Sequence, residues 1–381
     1  MVHHEIDSEA ALLAFVRAHG HLRGQAIQEL DLRPHAALLQ GIEGAGAAFL
    51  GCTLDAQTIA HLYRTGADLF PPLSEGMALP FRPYRSGLYT VEELYEGFDP
   101  GREGSFWTDA RDSAIYRYFT KRREAGVPVA IMEALAMRLH DHAIEDAVYD
   151  LLHPAEGEER RVVAVMGGHA MRRDQPIFAD VARMARTLTR DGFFIATGGG
   201  PGAMEASNLG AYFAPFDDGA LDQALELLAN ETDYRAHAYL EFALEVRRRW
   251  PPRDSAESLA IPTWFYGHEP TNMFASHVAK YFANSVREDG LLAIAKYGVV
   301  YAPGSAGTIQ EVFMDACQNH YVTCEVMSPM VLLGVDHWTH KLPVWPLLRA
   351  MSEGRPWGEL VRLCDRGSEA AAFIRQHPPR S

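Results

Sequence analysis

A doubly wound parallel α/β sheet with helices on both faces is the fold class predicted for the second half of the chain, and three observations predict it. Short, apolar, β-branched runs recur from residue 161 onward. Stretches with helical apolar spacing separate them, and three of the runs end in glycine-rich turns. Strands covered on both faces by crossover helices read as near-continuous apolar runs rather than as alternating ones.

The elements follow in order. The first strand is 161-RVVAVMGG-168, an amphipathic helix spans 176–190, and 193-FFIATGGG-200 is the second strand. An insertion at about 211–258, acidic in its first half and basic in its second, precedes a third strand, 260-AIPTWFYG-267. This insertion reads as a lid, a dimer element or a surface helical pair. A helical stretch over 271–296 leads into the fourth strand, 298-GVVYAPGS-305, and 329-PMVLLGV-335 supplies the fifth. Residues 351–381 read as a helical tail. The arrangement is Rossmann-like, and in such sheets ligands bind outside the carboxyl ends of the strands. The three glycine turns should therefore converge on one crevice.

Residues 1–155 are mixed α/β and of unknown role. They show a helix near 7–18, a short apolar run at 46-GAAFLGCTL-54, a Pro/Gly/aromatic stretch over 70–89, and helical patterns at 109–124 and 128–151. The cluster 153-HPAEGEER-160 is the linker expected before a sheet domain at 156–350. His140 and His142 lie two residues apart on a helix and so face different ways, as core or surface histidines rather than metal ligands.

Length and composition narrow the function. At about 150 residues per domain, 381 residues suggest two domains or one with large insertions. The 50 acidic against 35 basic residues leave a net charge of −15, unsuited to non-specific nucleic-acid binding. The opening MVHHEIDSEAALLAF has no basic stretch followed by a long apolar run, so no signal peptide is expected. No run of about 18 apolar residues marks a membrane span. Cys52, Cys317, Cys324 and Cys364 lack C-x-x-C spacing and read as reduced thiols of a cytoplasmic protein. The histidines form no H-E-x-x-H, so no metal site is expected. Lysine occurs only at 121, 280, 296 and 341, outside the glycine turns, which argues against a pyridoxal phosphate Schiff base. No cofactor is expected.

Two turns carry the chemistry. In 303-PGSAGTIQE-311, small residues let backbone N–H groups approach an anion at a helix N-terminus, which bears about half a positive charge. Gly304, Ser305, Ala306, Gly307 and Thr308 would cradle a phosphate, with Glu311 one turn into the helix. Thr308-x-x-Glu311 also fits a capping box that needs no function. The second turn, 197-TGGGPGAMEA-206, brings Gly198, Gly199, Gly200, Gly202, Met204 and Glu205 towards the same crevice, and Gly168 ends the first strand. A G-x-G-x-x-A match through Gly198, Gly200 and Ala203 is formal only, because a dinucleotide fingerprint belongs after the first strand.

These paired turns resemble those of the LOG ("lonely guy") family, once mislabelled lysine decarboxylases, which combines GGGxxGxM with a downstream PGGxGTxxE. Here Gly198, Gly199, Gly200, Ala203 and Met204 match the first motif, and Pro303, Gly304, Gly307, Thr308 and Glu311 match the second. Ala203 and Ser305 stand where the family has glycine. The GGGPGAME spelling and the extra N-terminal region also resemble the larger bacterial nucleotide 5′-monophosphate nucleosidases. The resemblance spans about 161–335. It implies hydrolysis of the N-glycosidic bond of a nucleoside 5′-monophosphate, AMP-like or cytokinin-type, to free base and ribose 5-phosphate. It also implies a homodimer or higher homo-oligomer, and no nucleic-acid or membrane partner. The family uses the Glu of the second motif and an Arg about 15 residues before its Pro. Arg287, in NSVREDG, lies 16 residues before Pro303, one residue off that distance and without the family's ERK triplet around it, while 268-HEPTN-272 offers an Arg-free alternative alignment.

Breaking the bond builds positive charge on the ribose, which a carboxylate near the anomeric carbon would stabilise while orienting water. Glu311 takes that role. Arg287 could hold the phosphate, position Glu311 or neutralise the base. Arg172 and Arg173, after the first strand, are candidates for base recognition. The rival reading is a catalytically silent nucleotide-binding or sensing protein.

Overall fold

The computed structural model describes residues 4–73, 77–124, 126–155, 157–253 and 256–380. Residues 74–76 of the Pro/Gly/aromatic stretch, 156 of the expected linker and 254–255 of the insertion lie outside them. The chain divides into two compact units, Met1–Leu88 with Thr120–Val148, and Tyr89–Phe119 with Tyr149–Ser381.

The first unit contains four parallel strands, β1 (His4–Ile6), β2 (Gln25–Gln28), β3 (Ala48–Leu50) and β4 (Asp68–Phe70), side by side in chain order. Helix α1 (Glu9–His19) starts where Ser8 Oγ accepts from Ala11 N–H at 3.3 Å, and it stops at Gly20. Leu12, Leu22, Ile27, Leu39, Phe49 and Leu62 form its core. His140 is buried in this unit and His142 is exposed.

The second unit is built on seven parallel strands: β5 (Val162–Met166), β6 (Phe194–Thr197), β7 (Ser258–Ala260), β8 (His277–Val278), β9 (Val299–Tyr301), β10 (Met330–Leu333) and β11 (Val361–Cys364). Their order is β11-β10-β9-β5-β6-β7-β8. From β5 the chain steps outward through β6, β7 and β8, then returns to the other side of β5 with β9. The reversal leaves a crevice at the carboxyl ends of β5, β6 and β9, the place where such sheets bind ligands. Helices α2 (Pro176–Arg190), α3 (Ala203–Tyr212), α4 (Asp218–Leu228), α5 (His237–Arg249), α6 (Asn284–Ile294), α7 (Ala306–Tyr321) and α8 (Gly367–Gln376) accompany the sheet.

Three expectations need correction. The third strand is Ser258–Ala260, not 260–267, because Pro262 cannot donate to a ladder; beyond it the pairing continues as an isolated parallel bridge between Thr263 and Tyr281. The helix expected from 271 begins only at Asn284; before it the chain runs extended through β8, which pairs with β7. The C-terminal segment, read as helical, also carries β11, paired to β10. The insertion is a helical pair, α4 and α5.

Helices α2 and α3 meet at Gly210. A Cβ there would lie 2.1 Å from Ala182 O and 2.9 Å from Arg186 N, both backbone atoms of α2. Gly210→Ala is expected to destabilise the fold by about 3 kcal/mol, the upper range for overpacking, despite alanine's better helix propensity. Urea unfolding of the variant checks this, and an unchanged midpoint would refute it.

Candidate active site

Helix α6 buries Asn284, Arg287, Glu288, Leu291 and Leu292, one stripe at helical spacing. Its amino-terminal half is polar where an ordinary core-facing stripe would be apolar. Helix α7 repeats the device, burying Thr308, Glu311, Val312, Asp315, Ala316 and Asn319. The polar segments of the two stripes meet at the crevice. There Arg287 Nη1 donates to Glu311 Oε1 at 3.2 Å, and Arg287 Nε donates to the Ile261 carbonyl at 2.8 Å. Both side chains are about nine-tenths buried, Arg287 at 9% and Glu311 at 8% exposure. Burial pushes the Glu311 carboxyl above the ordinary carboxylate range; the Arg287 charge opposes that shift and the Glu288 charge adds to it.

The pair lies against a cavity of about 590 Å³. One wall is the start of α7, where Ser305, Ala306, Gly307 and Thr308 all line the space. Ser305 is the N-cap, and no side chain caps the helix. Thr308 therefore sits inside the first turn, and the Thr308–Glu311 capping box is not formed. The opposite wall is the turn after β6, with Gly198, Gly199, Gly200 and Met204, and Gly168 adds the end of β5. A Cβ at Gly198 would fall 2.4 Å from Arg287 Nη2, so the guanidinium lies where only glycine leaves room. Gly199 has φ +77°, and its carbonyl accepts from both the backbone and the side-chain nitrogen of Asn272, at 2.9 and 3.1 Å. That bond ties 268-HEPTN-272 to the turn, and Glu269 reaches the cavity while pairing with His169 at 3.3 Å.

Five residues expected at the ligand do not line this cavity. Glu205 is buried at 1% exposure, pointing away from the cavity into an ion pair with Arg173, and Tyr239 O–H donates to it. Arg173 is thereby spent on structure. Exposed Arg172 pairs with Asp174 at 2.6 Å and lines an adjoining pocket with His169 and Tyr234. Gly202, at φ +75°, packs against the first loop, where a Cβ would come within 2.4 Å of Gly168 O. Gly304 faces a neighbouring recess, its carbonyl 2.9 Å from His337 Nε2. A Cβ at 304 would strike Thr308 Oγ1 at 2.1 Å, so substitution there disrupts the turn before it meets any ligand.

The sequence reading missed Glu288, Tyr266 and Gln310, all of which line the cavity. The available signal was the polar character of the α6 stripe, which is visible only once the register of that helix is known. Asp315, one turn beyond Glu311, is fully buried and accepts from Tyr301 O–H at 2.7 Å. Burial pushes its carboxyl up to about 7 from an ordinary 3.8. Because the folded value is the higher, its contribution to stability is complete below pH 3.8 and is lost as pH rises through about 7. Asp315→Asn is expected to abolish a loss of about 4 kcal/mol over that interval. Denaturant midpoints measured from pH 4 to 8 should run flatter than those of the parent; parallel curves would contradict the assignment.

Fold and site together define an α/β protein with a glycine-walled cavity at the switch point of a parallel sheet, an arginine–glutamate pair at its base and a helix N-terminus on one side. No family model matches the chain, and no curated protein does. Among solved structures the chain is similar to the molybdenum cofactor binding protein of the phototrophic bacterium Rippkaea orientalis, at 13% identity over 58% of this chain and 98% of that one, with TM-score 0.37. It is also similar to the molybdenum cofactor carrier protein of Chlamydomonas reinhardtii, at 15% identity over 57% and 98%, with TM-score 0.36. TM1055, a structural genomics target, matches at 17% identity over 57% and 99%, with TM-score 0.35. Likeness at these values carries no statement of function; the fold class stands on the strand order. Among the described residues, no helix is long and apolar enough to cross a membrane.

Proposed function

We propose that this chain hydrolyses the N-glycosidic bond of nucleoside 5′-monophosphates, releasing the base and ribose 5-phosphate. The observation that supports the reading best is the Arg287–Glu311 pair, 3.2 Å apart, in the same cavity as the open first turn of α7. The 5′-phosphate sits on the Ser305–Thr308 backbone, where the helix dipole favours an anion. Its binding energy holds the sugar in reach of Glu311. The Glu311 carboxylate stabilises the developing oxocarbenium charge and orients the attacking water. Arg287, already committed to Glu311 and to Ile261 O, is the residue that positions the carboxylate, and its charge opposes the upward push of burial on the Glu311 carboxyl.

Incubation with a panel of nucleoside 5′-monophosphates, followed by chromatography for free base, tests the proposal. Release of base from at least one of them is expected. Binding without release would mark a nucleotide-binding protein instead, and neither would end the nucleotide reading. Gly307 offers a direct probe of the phosphate wall, since a Cβ there meets nothing within 4 Å in the folded chain. Gly307→Val should therefore fold as the parent does yet bind AMP at least about tenfold more weakly, a loss on the order of 1.4 kcal/mol. Calorimetric titration reads that loss, and unaltered affinity would clear this turn of phosphate.

A further inference from the structure

The cavity holds a second buried carboxylate that the proposed chemistry does not use. Glu288 is 5% exposed and lies beside Arg287 in sequence, yet its partners are neutral: Tyr266 O–H at 3.2 Å on one oxygen and the Gln310 amide at 2.6 Å on the other. Asn284 Nδ2 donates to the Tyr266 hydroxyl at 2.9 Å, so that hydroxyl's own proton is left for Glu288. The Arg287 guanidinium is already engaged by Glu311 and Ile261 O. A carboxylate taken out of water and paired only with neutral donors retains unmet hydrogen-bonding capacity on both oxygens. Its charge is near enough to Glu311 to oppose ionisation there.

Resting on the nucleotide reading above, we infer that Glu288 accepts the vicinal ribose hydroxyls and makes the site discriminate ribonucleotides from 2′-deoxyribonucleotides. Three features lead to the sugar. Glu288 is hydrogen-bonded to Gln310, the residue immediately before Glu311. Glu311 must reach C1′, and the 2′-hydroxyl is carried on the adjoining carbon. The base of the cavity, with Glu288 and Glu311 against one arginine, repels a phosphate and welcomes an uncharged group rich in O–H donors. This polarity also orients the nucleotide, with its phosphate on the α7 turn and its diol on Glu288. Tyr266 and Gln310 are positioning residues that hold the Glu288 carboxylate.

The test compares AMP with 2′-deoxy-AMP in base-release rate and in calorimetric affinity, for the parent, Glu288→Gln and Tyr266→Phe. The parent should favour AMP by on the order of 10²-fold in kcat/KM, because a buried acceptor built for a hydroxyl is left unpaired by the analogue lacking it. Glu288→Gln should compress that ratio to within about threefold, chiefly through the AMP arm. Tyr266→Phe removes one donor at a mostly exposed ring without disturbing packing and should reduce the ratio partially, so the inference remains testable if the first variant misfolds. A parent that treats the two nucleotides alike, or a Gln variant that keeps the full ratio, overturns the inference and leaves the proposed hydrolysis standing. A change in base preference with the sugar ratio intact also overturns it. A parent that neither binds nor cleaves either nucleotide removes the proposed function and this assignment with it.

Discussion

Glu311→Gln is expected to slow base release by about 10²–10⁴, the range for losing one acid–base group, while leaving AMP affinity within a few fold of the parent. The carboxylate is 8% exposed, so the amide occupies the same volume and can still accept from Arg287. What disappears is the negative charge opposite a developing oxocarbenium ion and the acceptor for a proton from water. Stability should move the other way. Burial raises the folded-state pKa of Glu311 above its ordinary value, so its contribution to stability is complete at low pH and is lost as pH rises through that folded value. The amide does not ionise. The variant should therefore match the parent in acid and equal or exceed it at pH 8. Single-turnover rates with urea unfolding at two pH values separate the outcomes. A variant that hydrolyses at the parental rate, or that loses AMP binding and stability together, would remove Glu311 from the chemistry.

The second large effect is expected at Arg287. Arg287→Met keeps most of the side-chain volume against Gly198 but leaves Glu311 buried beside Glu288 with no cation. Removing one partner of a buried ion pair costs about 3–5 kcal/mol at neutral pH, most of it the desolvation of the charge left behind. The same change drives the Glu311 pKa further upward, because the charge that opposed the effect of burial is gone. The stability deficit should then shrink as pH falls and Glu311 takes up a proton, and widen as pH rises through the new folded value. Activity needs the ionised carboxylate, so the acid limb of the rate profile should shift to higher pH and turnover should fall at neutrality. A pH-independent deficit would show that Arg287 serves packing alone. An unshifted acid limb would show that it does not govern Glu311.

Much of the site was legible in the chain because its signals are local. The paired turns at 198–204 and 303–311 each follow an apolar run, and their glycines are needed where backbone or guanidinium atoms approach closely, as at Gly198 and Gly202. Glu311 stood out by its turn and Arg287 only through what the family resemblance of the turns implies, and the fold brings them to 3.2 Å. Glu205 shows where the same reasoning fails. It belongs to the glycine turn in sequence, but as part of α3 it faces inward, and only the fold could reveal Arg173 and Tyr239 waiting there. Pro262 interrupted a strand that the apolar run alone would have continued unbroken.

What the linear order of residues determined by itself is the layered parallel sheet in the second half of the chain and the two small-residue turns at its mouth. Both depend on hydrophobic period and on the absence of side chains, properties that neighbours along the chain already express. Which polar groups share the cavity was decided only in three dimensions. Glu288, Tyr266 and Gln310 come from separate segments, and the burial that gives Glu311 and Asp315 their raised pKa values is a property of packed surroundings that no single segment carries.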